Sequence, residues 1–325
     1  MEKLSNGILT VEVSRHGAEL CSIRKNGTEY LWQADPAYWK RHSPVLFPIV
    51  GSVWNGKFMV EGKEYPMSQH GFARDMDFDL VSHGQDEVLY RLVSSEDTLS
   101  RYPFPFVLEI GYRLSGSMVE VRWRVSNPGD RDMYFQIGAH PAFNWPGFDR
   151  NAPVRGYFLL EAGAGMDDGA KADGRFRYIL IKEKGCADPD TAYVLDTAGY
   201  SPEADALAEK YGCSAGHREL LPVDGHTFDR DALIFEDSQI GKVTMLAPDG
   251  TPWLSLSFDA PLVGLWSPAA GNAPFVCIEP WYGRCDRAGF GGEFRRRDWM
   301  QHLKPHQSFD ASYCIDIIPG TGQGR

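Results

Sequence analysis

The chain has 325 residues, of which 43% are hydrophobic and 24% are charged, so it contains enough apolar material for a substantial core. Its formal net charge is -11, and a chain this acidic repels polyphosphate, which disfavours general nucleic-acid binding. A small basic pocket for a single phosphate group is still compatible with this charge.

Short segments of β-type residues, separated by turn residues, dominate the chain. Asn-Gly at 26–27 and Glu-Gly at 61–62 each lie between two such segments, which is typical of β-hairpins. Val119 to Val125 alternates apolar and polar residues and predicts a strand with one buried face. The predicted strands are Ile8–Val13, Glu19–Arg24, Glu29–Trp32, Lys57–Val60, Lys63–Met67, Asp79–Ser82, Val88–Ser94, Phe106–Leu114, Met118–Val125, Val154–Glu161, Ala192–Leu195, Ala232–Phe235, Lys242–Leu246, Trp253–Phe258, Leu262–Trp266, Phe275–Ile278 and Phe309–Ile318.

The rest of the chain predicts little helix and no internal boundary. Only Pro202 to Tyr211 shows a helical pattern, with Ser201 as its N-cap. Asp167 to Tyr178 is predicted to be a loop, and the tail from Gly320 to be frayed. No linker and no fixed repeat divides the sequence, so we expect one domain over residues 1–325. The predicted fold class is all-β: a large antiparallel β-sandwich of two packed sheets, with few short helices.

Signals for targeting and for disulfides are weak. The first seven residues contain no apolar core region, and no run approaches the roughly 18 apolar residues that span a membrane. The six cysteines are scattered without a CxxC pair, which indicates reduced thiols. We therefore expect a cytoplasmic enzyme with no membrane partner.

The stretch Phe275 to Gly283 carries the strongest chemical signal. Four apolar residues lead into Glu279, and Trp281 and Tyr282 follow, which predicts a buried strand that delivers a carboxylate to its rim. Large aromatic faces desolvate a neighbouring carboxylate and raise its pKa toward values useful for proton transfer. Glu279 is therefore the candidate base, while Trp281 either walls a ligand or packs behind it.

Two stretches in the first quarter of the chain place basic residues in unusual surroundings. Arg41 precedes an apolar run that contains two prolines. A solvated arginine before an edge strand explains this position as well as a ligand-binding arginine does. His70 and Arg74 lie four residues apart around Gly71, so the backbone is expected to turn there. Such a turn either directs both side chains at one ligand or forms a simple surface loop.

Two later stretches carry a histidine and an acidic cluster. His140 lies among small residues that leave room for a ligand or a close backbone, and Asn144 follows it. A lone histidine is more often structural, but a protonated imidazole is a suitable proton donor near pH 7. Asp229 and Asp231 precede an apolar strand, where acids are usually solvated but where one of them could hold sugar hydroxyls.

The sequence offers little that would hold a metal or a cofactor. His302 and His306 have i, i+4 spacing, but Pro305 interrupts the helix that would bring them together. No HExxH motif, cysteine pair, EF-hand loop, glycine-rich phosphate loop or GxSxG elbow occurs. We therefore predict no metal and no cofactor.

Four motifs in combination resemble the aldose 1-epimerase (galactose mutarotase-like) family, and in particular its LacX-like branch. They are Pro44–Gly51, Gln69–Asp75, Gly138–Asn144 and Ile278–Trp281, and the resemblance runs in order through most of the chain. It implies the galactose mutarotase-like supersandwich, with a sugar site in an open concave face. It also implies interconversion of the α and β anomers of a free aldose without a cofactor.

The resemblance also implies roles for individual residues. Glu279 falls on the family's base and His140 on its acid. The substrate-binding residues that we expect from these motifs are His70, Arg41, Arg74, Asp231, Asn144 and Trp281. Lys40 competes with Arg41 for its role, and Asp229 competes with Asp231.

Several alternatives stay open. The segment around His70 and Arg74 also resembles hexose-6-phosphate mutarotases, in which the arginine helps to hold phosphate. A glycoside hydrolase that pairs Glu279 with Asp231 or Asp286 is a second alternative, and a non-catalytic carbohydrate-binding protein is a third. In every case the partner is a small sugar or sugar phosphate, and the chain is expected to be a monomer or a homodimer.

Overall fold

The computed structural model describes residues 1–166, 173–269 and 273–318. Residues 167–172 of the predicted loop and the predicted frayed tail lie outside these ranges. None of the helices in the described ranges is long and apolar enough to cross a membrane.

Strands make up most of the regular structure. In chain order they are β1 Glu2–Ser5, β2 Thr10–Val13, β3 Leu20–Lys25, β4 Thr28–Glu29, β5 Val45–Leu46, β6 Lys57–Val60, β7 Lys63–Pro66, β8 Asp79–His83, β9 Glu87–Val93, β10 Val107–Ser115, β11 Met118–Ser126, β12 Met133–Phe135, β13 Ile137–Ala139, β14 Ala142–Asn144, β15 Gly156–Ala162, β16 Arg177–Tyr178, β17 Ile181–Glu183, β18 Cys186–Ala187, β19 Tyr193–Val194, β20 Arg218–Val223, β21 Leu233–Phe235, β22 Ile240–Leu246, β23 Pro252–Phe258, β24 Leu262–Trp266, β25 Phe275–Tyr282, β26 Gln301–Leu303 and β27 Ser308–Ile317. The α-helices of the described residues are α1 Glu96–Arg101 and α2 Pro202–Lys210, and the 3-10 turns are Trp54–Gly56, Ala73–Asp75, Ala164–Met166 and Phe294–Arg296.

Two antiparallel sheets form the framework. The first has nine strands in the order β20-β15-β22-β23-β27-β11-β10-β9-β8. The second has six strands, in the order β21-β24-β25-β13-β5 with β14 paired to β25. Leu108 and Val121 of the first sheet and Ile278 of the second belong to the same buried cluster. The all-β sandwich expected from the sequence is therefore confirmed.

The two sheets bury their strands to different degrees. In β11, Val119, Val121 and Trp123 are buried while Arg122 and Arg124 are exposed, so one face packs on the core and the other meets solvent. In β25, every residue from Phe275 to Trp281 is buried. A strand with both faces covered must have its polar side chains either paired or directed into a cavity, and this requirement makes Glu279 notable.

Several sequence predictions were incomplete. The strands of two to four residues at β1, β5, β12–β14, β16–β18 and β26 were missed, because such short segments contain too few residues to show a period of two. Helix α1 was missed as well: its capping box uses Ser95 and Thr98 instead of the more usual Glu or Gln at the third position.

The predicted loop ends in strand β16, which pairs with β19, so the loop prediction is wrong there. Helix α2 begins as predicted, with the Ser201 side chain accepting the Ala204 N–H.

Candidate active site

A cavity of about 580 Å³ opens on the side of the six-stranded sheet. Its walls come from the turn before β5, the turn before the second 3-10 segment, the β13–β14 junction, the segment before β21, and β25. The lining residues are Trp39, Lys40, Arg41, Val50, Gly51, Gln69, His70, Arg74, His140, Ile181, Gly185, Asp231, Ala232, Ile234, Trp266, Glu279, Trp281 and Cys285. Separate stretches of the chain thus bring most of the predicted site residues to one place.

Strand β25 holds Glu279 in the wall of this cavity. Glu279 pairs in register with Gly264 of β24, and its side chain is 1% exposed. Burial, together with the nearby Asp231 carboxylate, raises the pKa of Glu279 well above that of an ordinary carboxyl, while the Trp281 side chain acts in the opposite direction. Its Oε2 atom has no hydrogen-bond partner among the residues that the structure describes. A buried acceptor without a donor is costly in a resting protein, so it marks a position where a ligand could donate.

Trp281 lies beneath the site on the same side of β25. A Cβ atom on either Gly138 or Gly264 would come within 2.5 Å of its indole ring, so both neighbouring strands need glycine there. The indole Nε1 donates to the Ala139 carbonyl oxygen at 3.2 Å, and the residue is 5% exposed. Trp281 therefore lies at the base of the cavity, and only a small part of its side chain is exposed there.

His140 faces Glu279 across the junction between β13 and β14. Its Nδ1 lies 3.4 Å from Glu279 Oε1 and makes no hydrogen bond with any described part of the chain. The imidazole stacks on Trp39 with ring centroids 4.7 Å apart, and the edge of Trp266 lies against it at 5.4 Å. Burial, followed by the positive charge of Arg74, lowers the pKa of His140 to about 3. The two aromatic walls hold the ring in place without using either of its nitrogens.

His70 is fixed by a tight turn next to β5. Its backbone has a φ of 67°, and Gly71 follows with a φ of 74° where a Cβ would lie 2.2 Å from the Phe47 carbonyl oxygen. The Gly51 N–H donates to His70 Nδ1 at 3.1 Å. Because Nδ1 is the acceptor, the proton of the neutral ring lies on Nε2. Burial, and then His140, lower the pKa of His70 well below that of an ordinary histidine.

Three cationic side chains gather beside His70. Arg74 donates to the Gln69 carbonyl oxygen at 2.7 Å, and its buried Nε has no partner. Arg41 donates to Asp75 at 2.8 Å. Burial, and then Arg41, lower the pKa of Arg74 to about 10. Lys40 lines the cavity next to Arg41, so the structure brings both rivals to the site.

Of the two candidate aspartates, Asp231 lines the cavity and Asp229 does not. Asp231 has a φ of 73°, and its carboxylate accepts the N–H of Ala232 at 2.8 Å. Asp229 instead contacts the His226 ring at 2.8 Å. Asp231 is thus the better placed of the two.

Two residues named from the sequence lie outside the cavity lining. The Asn144 side-chain amide donates to the carbonyl oxygens of Glu29, at the end of β4, and of Leu31, so it ties β14 to this part of the chain, and its contact with substrate stays a prediction. Asp286 is buried in an ion pair with Arg297. Both lie in or close to a site motif in sequence, yet the structure places neither in the cavity lining.

Sequence reasoning also missed two residues. Trp39 and Trp266 form the aromatic walls around His140. The usable signal for Trp39 was an indole directly before Lys40 and Arg41, in a polar turn that has no core to fill. For Trp266 there was no such signal, because a tryptophan at the end of a predicted strand is ordinary.

A large antiparallel β-sandwich whose cavity joins a buried carboxyl group to two imidazoles and a cationic cluster defines a galactose mutarotase-like protein. The family model described as aldose 1-epimerase matches residues 3–165. The plasmid-encoded protein LacX of Lactococcus lactis subsp. lactis is 28% identical over 324 residues, which cover 97% of this chain and 99% of that protein.

Solved structures agree with these sequence matches. A galactose mutarotase related enzyme from Lactobacillus acidophilus superposes with a TM-score of 0.82 at 30% identity, covering 98% of both chains. A galactose mutarotase-like protein from Lactobacillus casei gives the same TM-score at 27% identity, covering 98% of this chain and 100% of that one. The chain belongs to the aldose 1-epimerase family and is LacX-like.

Proposed function

We propose that this protein is a mutarotase, an aldose 1-epimerase that interconverts the α and β anomers of a free aldohexose. The observation that carries the proposal is the pair formed by Glu279 and His140, which face each other at 3.4 Å in the wall of a polar cavity. Membership of the aldose 1-epimerase family supports the reaction class.

In the proposed mechanism, Glu279 and His140 act as base and acid. The Glu279 carboxylate takes the proton of the anomeric hydroxyl while protonated His140 gives a proton to the ring oxygen. The bond between C1 and the ring oxygen breaks, and the aldehyde forms. Rotation about the C1–C2 bond presents the other face, and reclosure with both roles reversed yields the other anomer. Each positioned proton-transfer group contributes about 10²- to 10⁴-fold to such a reaction.

The pair needs only one proton for the whole cycle. In the closed-ring state that proton is on His140 and both side chains are charged. In the open-chain state it is on Glu279 and both are neutral. Burial favours the neutral forms of both groups. In the empty site the proton is therefore expected on Glu279, as in the open-chain state. Sugar hydroxyls that donate to Glu279 and accept from His140 would restore the charged state.

The remaining lining residues would position the sugar. His70, with its proton on Nε2, can donate to a hydroxyl or to the ring oxygen. Asp231 can accept from hydroxyls on the opposite side, and Arg41 can donate to them. The faces of Trp39 and Trp266 suit the apolar C–H face of a pyranose ring.

Polarimetry with freshly dissolved α-D-glucose and α-D-galactose tests this proposal. The enzyme should speed the approach to equilibrium rotation well beyond the spontaneous rate. A spontaneous rate combined with sugar-dependent thermal stabilisation would instead identify a binding protein. Release of nitrophenol from nitrophenyl glycosides would identify a glycoside hydrolase.

A hexose 6-phosphate is the second candidate substrate, and the charge distribution favours it at one end of the cavity. Lys40, Arg41 and Arg74 gather there, and Asp75 is the carboxylate that contacts both arginines, at 2.8 Å from Arg41 and 3.8 Å from Arg74. Within the described residues the buried Nε of Arg74 makes no hydrogen bond, and the Asp75 carboxylate lies 3.8 Å from it. Two guanidinium groups that share one carboxylate leave positive charge that suits a phosphate group.

Arg74→Ala distinguishes the two substrates. If the substrate is phosphorylated, kcat/KM for glucose 6-phosphate should fall about 10- to 100-fold while that for glucose changes little, because one charge-assisted contact contributes about 1.5–3 kcal/mol. Arg91→Ala is the matched control, since Arg91 pairs with Glu109 on the other sheet. Equal losses for both sugars would assign Arg74 a role in shaping the site.

A further inference from the structure

Cys277, Glu279 and His140 form a compact group of metal-ligating atoms. Cys277 and Glu279 are two residues apart on β25, so both side chains project from the same face of that strand. His140 meets that face from the β13–β14 junction. The thiol sulfur, a carboxylate oxygen and an imidazole nitrogen all lie within 4.8 Å of one another.

Two of these groups lack partners. Among residues 1–166, 173–269 and 273–318, neither His140 Nδ1 nor Glu279 Oε2 has a hydrogen-bond partner, although His140 is only 7% exposed and Glu279 only 1%. Protein interiors rarely leave two such polar atoms unsatisfied within one cluster. A cation between them would satisfy both at once.

The spacing suits a small tetrahedral ion. Metal–ligand bonds of about 2.0–2.3 Å at tetrahedral angles separate neighbouring ligand atoms by roughly 3.3–3.8 Å. The Nδ1 of His140 and Oε1 of Glu279 are 3.4 Å apart, which matches this range. The sulfur of Cys277 lies within 4.8 Å of the other two ligand atoms, and we expect it to move closer to them when it takes the third ligand position.

The donor set identifies the class of ion. One thiolate, one imidazole and one carboxylate suit Zn²⁺, whereas Mg²⁺ and Ca²⁺ require oxygen ligands. When Cys277 and Glu279 are both deprotonated, their two negative charges balance the ion, so the buried complex is neutral. Glu279 and His140 line the cavity, which provides a path for the ion and leaves the fourth position to water.

We propose that Cys277, Glu279 and His140 form a Zn²⁺ site that switches off the enzyme. On binding, the ion forms bonds to sulfur, nitrogen and oxygen, and the protons of the Cys277 thiol and of the Glu279 carboxyl group pass to solvent. Because the ion occupies the groups proposed as base and acid, it competes with the sugar. The inhibition rests on the proposed function, but the binding of the ion does not.

Cobalt provides a readout that is independent of activity. Chelator-treated protein is titrated with Co²⁺, and a sulfur-to-cobalt charge-transfer band in the near ultraviolet reports coordination by Cys277. Zn²⁺ added afterwards should remove this band at one equivalent per chain. In parallel, Zn²⁺ should raise the apparent KM for the sugar without lowering kcat.

Cys277→Ala and Cys277→Ser are the test variants, and Cys285→Ala is the matched control. Cys285 is likewise a buried thiol, and it lines the cavity, but it is outside the ligand group. We expect both Cys277 variants to lose the cobalt band and to bind Zn²⁺ at least 100-fold more weakly, with mutarotase activity retained. Cys285→Ala should keep the band. Circular dichroism confirms that each variant is folded.

Two outcomes would overturn the proposal. One is a wild-type protein without the cobalt band, and the other is a Cys277→Ser protein that binds Zn²⁺ as tightly as the wild type. Failure of the proposed function looks different. In that case mutarotation is absent, yet the cobalt band and its loss in the Cys277 variants persist.

Discussion

Buried charged groups occur in two adjacent regions of this protein and are treated in opposite ways. At the cavity, Glu279 and His140 face each other with Oε2 and Nδ1 unpartnered. Just after β25 lies a buried ion-pair network, which we define as Arg284, Arg297, Glu236, Asp286 and Asp298. Arg284 binds Glu236 at 2.7 Å and Asp298 at 2.6 Å, and Arg297 is paired with Asp286.

The two regions differ in whether their buried charged groups have hydrogen-bond partners, and this difference distinguishes a structural network from a candidate binding site. In the ion-pair network, additional donors complete the coordination: the Trp54 N–H donates to Asp286 at 2.8 Å, and Arg297 donates to Gln136 at 3.0 Å. Such a network holds the end of β25 in place. The cavity pair has no comparable set of partners, so its hydrogen-bonding capacity is available to a ligand. Burial alone therefore does not indicate function. The cavity pair is notable because two unsatisfied polar groups face each other in the wall of a cavity that a ligand can enter.

The largest expected effect comes from Glu279→Gln. Removing the proposed base should lower kcat/KM for mutarotation by about 10²- to 10⁴-fold, measured by polarimetry. The free energy of unfolding should stay the same or rise, because the buried carboxyl has a raised pKa and costs stability when ionised at neutral pH. Glutamine keeps the shape and removes that cost. Wild-type mutarotation in this variant would contradict the assignment.

Arg297→Met should give the opposite pattern. It leaves Asp286 buried without its counter-charge, so the free energy of unfolding in urea should fall by about 3–5 kcal/mol. The double variant Arg297→Met/Asp286→Leu removes both charges and should recover most of that loss. The folded fraction should retain near-normal KM, since neither residue lines the cavity. A large change in KM with unchanged stability would place the ion-pair network in the site.

These two regions also show what the sequence could predict. A run of apolar residues before Glu279 predicts a buried strand that ends in a carboxylate, and small neighbours around His140 predict open space. Both signals are local. The pairing of Arg297 with Asp286, the contact of Trp39 with His140 and the donation of Gly51 to His70 depend on chain segments that meet only in the folded protein. No local pattern encodes them.

The same limit explains why the sequence did not indicate that Asn144 lies outside the cavity lining. It ends the motif that contains His140, and the sequence cannot distinguish the part of a motif that faces the ligand from the part that supports the strand. Strand β14 has only three residues and shows no alternation that would reveal which way each side chain points. In the structure the Asn144 side chain makes two hydrogen bonds, to the carbonyl oxygens of Glu29 and Leu31.

Asn144→Ala therefore tests whether Asn144 supports the fold or binds the sugar. The variant loses two side-chain hydrogen bonds to partly buried carbonyl groups, so stability should fall by about 1–2 kcal/mol. KM for the sugar should change less than twofold. Denaturation and polarimetry on the same preparation measure both quantities. A raised KM with unchanged stability would return Asn144 to the site.

The smallest expected effect concerns Glu19, a mostly buried carboxylate that, unlike Glu279, has its partners. It accepts the N–H groups of His42 at 2.8 Å and Ser43 at 3.0 Å. Burial alone would raise the pKa of Glu19, but the His42 side chain, whose Nδ1 lies 3.8 Å from the carboxylate, and the backbone N–H donors of His42 and Ser43 outweigh burial and lower the pKa below its ordinary value. A carboxyl whose pKa is lowered on folding stabilises the protein above its unfolded pKa, and that contribution disappears as the pH falls through the folded value.

Glu19→Gln should thus lower the free energy of unfolding by about 1 kcal/mol at pH 7, because the amide oxygen still accepts but without charge. The deficit should shrink as the pH falls below 4.5. Urea denaturation across pH 3 to 7 measures this, with Glu183→Gln as a control on an exposed strand position. Glu279→Gln should show the reverse trend, with its stability advantage over the wild type growing as the pH rises above 4.5, because its carboxyl has a raised pKa. Parallel trends in Glu19→Gln and Glu279→Gln would mean that the two carboxylates have the same environment, and the distinction between satisfied and unsatisfied buried charge would fail.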